Sequence, residues 1–135
     1  MHNPIPFSKK IKVESNAIDH FDHVNNLEYI KWTLGISKEH WNRVTPEEVR
    51  NQFGWMILRH EVHYKGQAKR NDHLRIKTWI KDFSTARSTR QTSITDLKTN
   101  KLIFESEATW CFVSLNTQKP ARLSTEILKP YFEHL

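Results

Sequence analysis

An α+β domain, with an antiparallel β-sheet wrapped around one long central α-helix, is the architecture this sequence predicts, and three observations predict it. The segment from about Asn26 to His40 has a helical period and is apolar around most of its circumference. Four β-patterned segments of similar length follow it, separated by polar turns. At 135 residues, with five Trp and seven Phe, the chain has the length of one domain and enough apolar material for a core.

Residues 7–17 read as a short extended segment patterned around Phe7, Ile11 and Val13. The polar stretch from Asp19 to Asn26 has no regular period and leads straight into the helix. Asn25 is the expected N-cap, and Glu28 stands at capping-box spacing from it. On the helix Glu28, Lys31, Gly35 and Lys38 form one narrow polar stripe, while Leu27, Tyr29, Ile30, Trp32, Leu34 and Ile36 fill the rest. A helix so apolar must be enclosed. Thr45-Pro46-Glu47-Glu48 opens a second, short helix, which Gly54 stops.

From Trp55 to Tyr64 the pattern becomes alternating, with Met56, Leu58, Val62 and Tyr64 set against Arg59, Glu61 and His63. Segments 74–83, 89–97 and 102–115 complete a meander of four consecutive antiparallel strands, and 66–72, 84–87 and 98–101 are its turns. Ser124 caps a terminal helix running to Phe132. One sheet face and its edges then remain uncovered, so pairing of two sheets in a homodimer, with a homotetramer as a further step, is expected.

The net charge of +6 suits an anionic partner without choosing one. Lys and Arg are dispersed, and the aromatics fall on both strand faces and inside the helix, which argues against a nucleic-acid surface. No apolar stretch is long enough to span a membrane, and the first residues lack the apolar core of a signal peptide. With Cys111 as the single cysteine, no internal disulfide is possible and a reducing, cytoplasmic setting is expected. Cys111 stands between Trp110 and Phe112 in a core-like strand, a poor setting for a thiolate nucleophile. His60 and His63, three apart on a strand, point to opposite faces and cannot chelate one ion. Neither a metal nor a cofactor is called for.

The segment from Asp19 to Trp32 reads Asp-His-Phe-Asp-His-Val-Asn-Asn-Leu-Glu-Tyr-Ile-Lys-Trp. It resembles the Asp-x-x-x-His-Val-Asn-Asn-x-x-Tyr-x-x-Trp signature of the hotdog-fold thioesterases. These include the 4-hydroxybenzoyl-CoA thioesterase-like family and, closer in this stretch, the plant and bacterial acyl-ACP thioesterases. The resemblance implies a hotdog fold and metal-independent hydrolysis of an acyl-CoA or acyl-carrier-protein thioester. It assigns the catalytic carboxylate to Asp19 and an orienting or proton-transfer role to His23, and Glu61 is the best match by spacing for the family's strand glutamate. Phe21 stands where the acyl-ACP branch carries Asn, and Asp22 where many relatives carry Gly or Gln.

Physical reasoning about the same residues points the same way. Thioester hydrolysis needs a base or nucleophile and a site for the oxyanion. A helix start offers bare N–H groups, here expected at Asn26 and Leu27 beside the Asn25 cap. Asp19 either activates water or attacks the carbonyl itself. The acyl chain is expected beside the helix, among Tyr29, Trp32, Trp55 and Trp79. Lys65, Lys69, Arg70, Arg87 and Arg90 are candidates for the phosphates of CoA or for an acidic carrier protein. The rival reading is a non-catalytic acyl-CoA-binding hotdog module.

Overall fold

The computed structural model describes residues 2–135. A short strand β1 (Asn3–Pro4) and strand β2 (Phe7–Lys12) lead through a 3-10 turn (Ser15–Ala17) to helix α1 (Asn26–Val44). Then come a one-turn helix α2 (Glu47–Arg50), strands β3 (Phe53–Tyr64), β4 (His73–Phe83), β5 (Arg87–Asp96) and β6 (Leu102–Ser114), a one-turn helix α3 (Thr125–Leu128) and β7 (Phe132–Glu133). Five strands make one antiparallel sheet in the order β2-β4-β5-β6-β3, while β1 and β7 pair separately. This is the hotdog arrangement, with α1 lying across the concave face of the sheet.

The sheet is not the expected meander. Strand β3 pairs with β6 rather than β4, so it forms one edge of the sheet and β2 forms the other. Residues 65–72 are therefore a crossover between opposite sides of the sheet and not a hairpin turn. Gly66 turns tightly against β6, where an added Cβ would lie 3.2 Å from Ile103. Ala68, fully buried, then accepts a backbone hydrogen bond from Val24 at 3.0 Å. The crossover is thus tied to the start of α1.

Helix α1 runs one turn past the expected end because Trp41 and Val44 still pack into the core. It stops at Thr45, which precedes Pro46 and is held extended at φ −112°, ψ 129°. A single sheet covers only one side of a helix, so Leu27 and Leu34 are exposed while Thr33, Ser37 and His40 are buried. Thr33 and Ser37 need no partner from the sheet. Each hydroxyl donates at 2.9 Å to the carbonyl four residues back. The C-terminal helix is shorter than expected: Ser124 caps it, but Pro130 cannot continue the α-helical ladder and the chain tightens into a 3-10 turn.

Strict alternation on β4 and β5 sends Leu74, Ile76, Thr78 and Ile80, and Ser88, Arg90, Thr92 and Ile94, toward α1. On β3 a bulge between Ile57 and Arg59 resets the alternation. Trp55 and Ile57 before it, and His60, Val62 and Tyr64 after it, face the helix. Met56 and Leu58 do not share the face of Val62, contrary to the simple period-two reading.

Candidate active site

The loop before α1 is closed at its base. Ile18 and Val24 form an antiparallel bridge, Asp19 N–H donates to the His23 carbonyl at 2.8 Å, and Asn25 N–H donates to the Ala17 carbonyl at 2.9 Å. Inside the loop Asp19 Oδ1 accepts from Phe21 N–H at 2.9 Å and His23 N–H at 3.3 Å. Oδ2 has no hydrogen bond among the described residues. Asp22 takes the left-handed turn position at φ 62° and pairs with Arg70 at 3.3 Å. Its short polar side chain suits that backbone, which explains how the turn forms without Gly.

The helix start differs from expectation in two respects. The capping box does not form, because Asn25 N–H is taken by Ala17. Glu28 is left half-buried, with one carboxylate oxygen lacking a hydrogen bond and the Lys31 ammonium 3.8 Å away. Asn25 does cap, but its Oδ1 accepts from Leu27 N–H at 2.9 Å, so that amide is not available to a ligand. Asn26 N–H makes no hydrogen bond among the described residues. It is the bare donor at this end of the helix.

Two tyrosines fix this end from the sheet side. Tyr64 of β3 donates to the Asn26 carbonyl at 3.3 Å, and the Tyr29 hydroxyl accepts from Ala68 N–H at 3.0 Å. Burial raises the Tyr29 pKa; the Ala68 N–H opposes this, and the charges of Asp72, Tyr64 and Asp19 add to it. Tyr29 is thus a neutral anchor for the crossover rather than an acyl contact. Trp32 packs edge-on against it on the flank away from β3.

Other expected residues fall elsewhere. Glu61 lies on the sheet face opposite α1, bound to Arg59 at 3.1 Å and His63 at 3.4 Å, so it cannot join Asp19 within one chain. The helix-facing neighbour is His60, which sequence spacing did not single out. Its Nε2 is buried without a partner, and burial lowers its pKa. His23 is half-buried, and its backbone, not its ring, makes the loop's hydrogen bonds.

The basic candidates separate. Lys65, paired with Glu105 at 3.6 Å, and Arg70 border the Asp19 end, and Lys69 follows in the same crossover. Arg87 is exposed but level with Cys111, about 23 Å along β6 from the Phe104 level beside Tyr64. Arg90 is 6% exposed on the helix-facing side, which corrects its reading as a surface phosphate contact. Trp79 is on the outer face beneath Lys77.

A cavity of about 390 Å³ lies between the second half of α1 and strands β3, β5 and β6. Trp41, Trp55 and Trp110 wall it with Leu34 and Ile57. Of the expected acyl contacts only Trp55 lines it. Trp41 and Trp110 were missed because only the β3 bulge and the β5–β6 register bring them to one place. Among the described residues, no three His, Cys, Asp or Glu side chains cluster as a metal site.

No curated protein matches the chain significantly by sequence. Solved structures match its fold. A Lactobacillus plantarum protein described as an oleoyl thioesterase superposes with a TM-score of 0.86 at 15% identity, over 96% of this chain and 51% of its own. A Staphylococcus aureus protein solved in complex with CoA gives 0.81 at 16% identity, over 94% and 82%. The 12:0-ACP thioesterase of Umbellularia californica gives 0.81 at 15%, over 96% and 51%. The chain spans about half the length of the first and third of these. Residues 4–131 match the model of the acyl-ACP thioesterase N-terminal domain. The chain therefore belongs to that family, a family of thioester hydrolases.

Proposed function

We propose that this chain hydrolyses an acyl thioester, carried on CoA or on an acyl carrier protein, with Asp19 as the reacting carboxylate. The observation that supports this reading is the closed 18–24 loop, which carries Asp19 and runs directly into the helix start where the Asn26 amide is bare. Oδ1 holds the loop, which leaves Oδ2 for chemistry. As a base, Oδ2 takes a proton from water while the oxygen attacks the thioester carbon. The carbonyl oxygen becomes an oxyanion facing Asn26 N–H and the positive end of α1. Collapse breaks the C–S bond, and the thiolate leaves and is protonated. As a nucleophile, Oδ2 would attack directly and form an anhydride that water then cleaves. The His23 ring, beside the same loop, fits proton transfer to the leaving thiolate.

Lys65, Lys69 and Arg70, in the crossover beside the start of α1, suit the phosphates of CoA or the acidic surface of a carrier protein. The exposed β3 edge, with Met56, Ile57 and Leu58 all open to solvent, suits pairing with a second copy. The test is a panel of acyl-CoA esters of graded length, and the same acyl groups on a carrier protein, assayed by released thiol. Saturable turnover on at least one series, unaffected by a metal chelator, is expected. No release from any ester would reject the reading.

A further inference from the structure

The cavity beside the second half of α1 is apolar in its walls but not at its base. Arg90 reaches it from β5, and none of its lining residues is acidic. Arg90 Nη1 donates to His40 Nδ1 at 3.0 Å and to Thr78 Oγ1 at 3.2 Å, and its Cζ lies 5.8 Å from the Tyr131 ring centre. The Tyr131 hydroxyl lies beside Arg90 and Thr45 without a hydrogen bond of ordinary geometry to either. Among the described residues no carboxylate pairs with Arg90. A buried guanidinium without an anion is costly, and such groups are normally paired.

Other residues with polar groups line the same space. Trp110 lines the cavity, and its Nε1–H is buried with no acceptor. Ser88 and Lys38 line it too. Positive charge thus borders the cavity where only neutral acceptors, and no protein carboxylate, answer it. Burial, and then the Arg90 charge, push the His40 pKa down to about 3, so His40 is a neutral acceptor and offers no compensating charge. Burial lowers Arg90 only to about 10, so it stays cationic at neutral pH.

One flank of α1 runs from the Asp19 end to this cavity. Ile30, Leu34, Ser37 and Trp41 follow one another at helical spacing along the flank of α1 that faces β3. His40 lies roughly 20 Å along the axis from Asn26, at about 1.5 Å per residue. Only a long acyl chain spans that distance.

Resting on the thioesterase reading above, we propose that the cavity is a specificity pocket for a long acyl group bearing a second, distal carboxylate, which Arg90 receives. The substrate class is the monothioester of a long-chain dicarboxylic acid.

Two measurements test it on the intact chain. Tryptophan fluorescence follows binding of octanoate against octanol, a pair that differs in the anionic head and needs no catalysis. Octanoate is expected to bind at least about tenfold more tightly, as a charge-assisted contact implies. That preference should fall severalfold in Arg90→Lys, which keeps a charge and loses the planar fork, and vanish in Arg90→Met if that variant folds. Released thiol then compares the CoA esters of hexadecanedioic and hexadecanoic acids, and kcat/KM is expected to favour the diacid ester at least about tenfold. Equal binding of octanoate and octanol would overturn the anion site, and equal kcat/KM for the two esters would overturn the substrate class. If octanoate is preferred but neither ester is cleaved, the anion site stands and the thioesterase reading fails.

Discussion

Asp19 has a structural part to play in seven residues of chain and, in the proposed reaction, a chemical one. Its Oδ1 accepts two backbone N–H groups, so Asp19→Asn keeps the acceptor that shapes the loop, whereas Asp19→Ala loses it. The alanine variant should therefore also lose stability, by about 1–2 kcal/mol for two orphaned partly exposed donors, read as a lower melting temperature. Asn25→Ala should cost about 1 kcal/mol by uncapping Leu27, measured by urea unfolding. At this scale the motif was legible: the residue types from Asp19 to Asn25 announced a carboxylate, a turn and a cap. The hydrogen-bond partners were not. Whether Glu28 can reach the Asn25 N–H depends on where the Ala17 carbonyl sits, beside the Ile18–Val24 bridge. Glu61 is chosen by its spacing after the helix, although the alternation already sets it opposite Val62 and Tyr64, on the face away from α1.

Helix α1 was legible as a long, enclosed element, but the sequence could not show which side the sheet would cover. Leu27 and Leu34 look like core residues by chemistry and are exposed, while His40 looks like surface and is 2% exposed. His40 makes the helix–sheet contact titratable. Its pKa falls from 6.5 in the unfolded chain to about 3 in the folded one, because burial and the Arg90 charge disfavour the imidazolium. A depressed folded value contributes stability above pH 6.5 that is lost as pH falls toward 3. Urea unfolding should weaken across that window by up to about 1.4 kcal/mol per pH unit from this group. His40→Gln, which retains an acceptor for Arg90 without titrating, should flatten the dependence. An unchanged slope would mean that His40 is not the group responsible.

For the whole molecule, the strand count and the helix-on-sheet architecture followed from alternation and length. Strand order did not, because the segment after Tyr64 looks like an ordinary polar turn and is a crossover instead. The burial of Ala68 and its bonds to Val24 and Tyr29 show that this segment crosses at the helix start. The consequence is an open edge at β3, where Met56 and Leu58 are 50% and 46% exposed. Light scattering should report a dimer for the natural chain, and Leu58→Lys should shift it toward the monomer. A monomeric natural chain would remove β3 as an assembly surface.

The proposed hydrolysis rests on Asp19 as the reacting group, and a single-turnover assay of Asp19→Asn against the natural chain tests this most directly, using one acyl-CoA ester with the melting temperature recorded alongside. The expected result is a rate at least about a hundredfold lower, with melting changed little because the loop keeps its acceptor. An unchanged rate in a folded variant would contradict it and remove Asp19 from the chemistry.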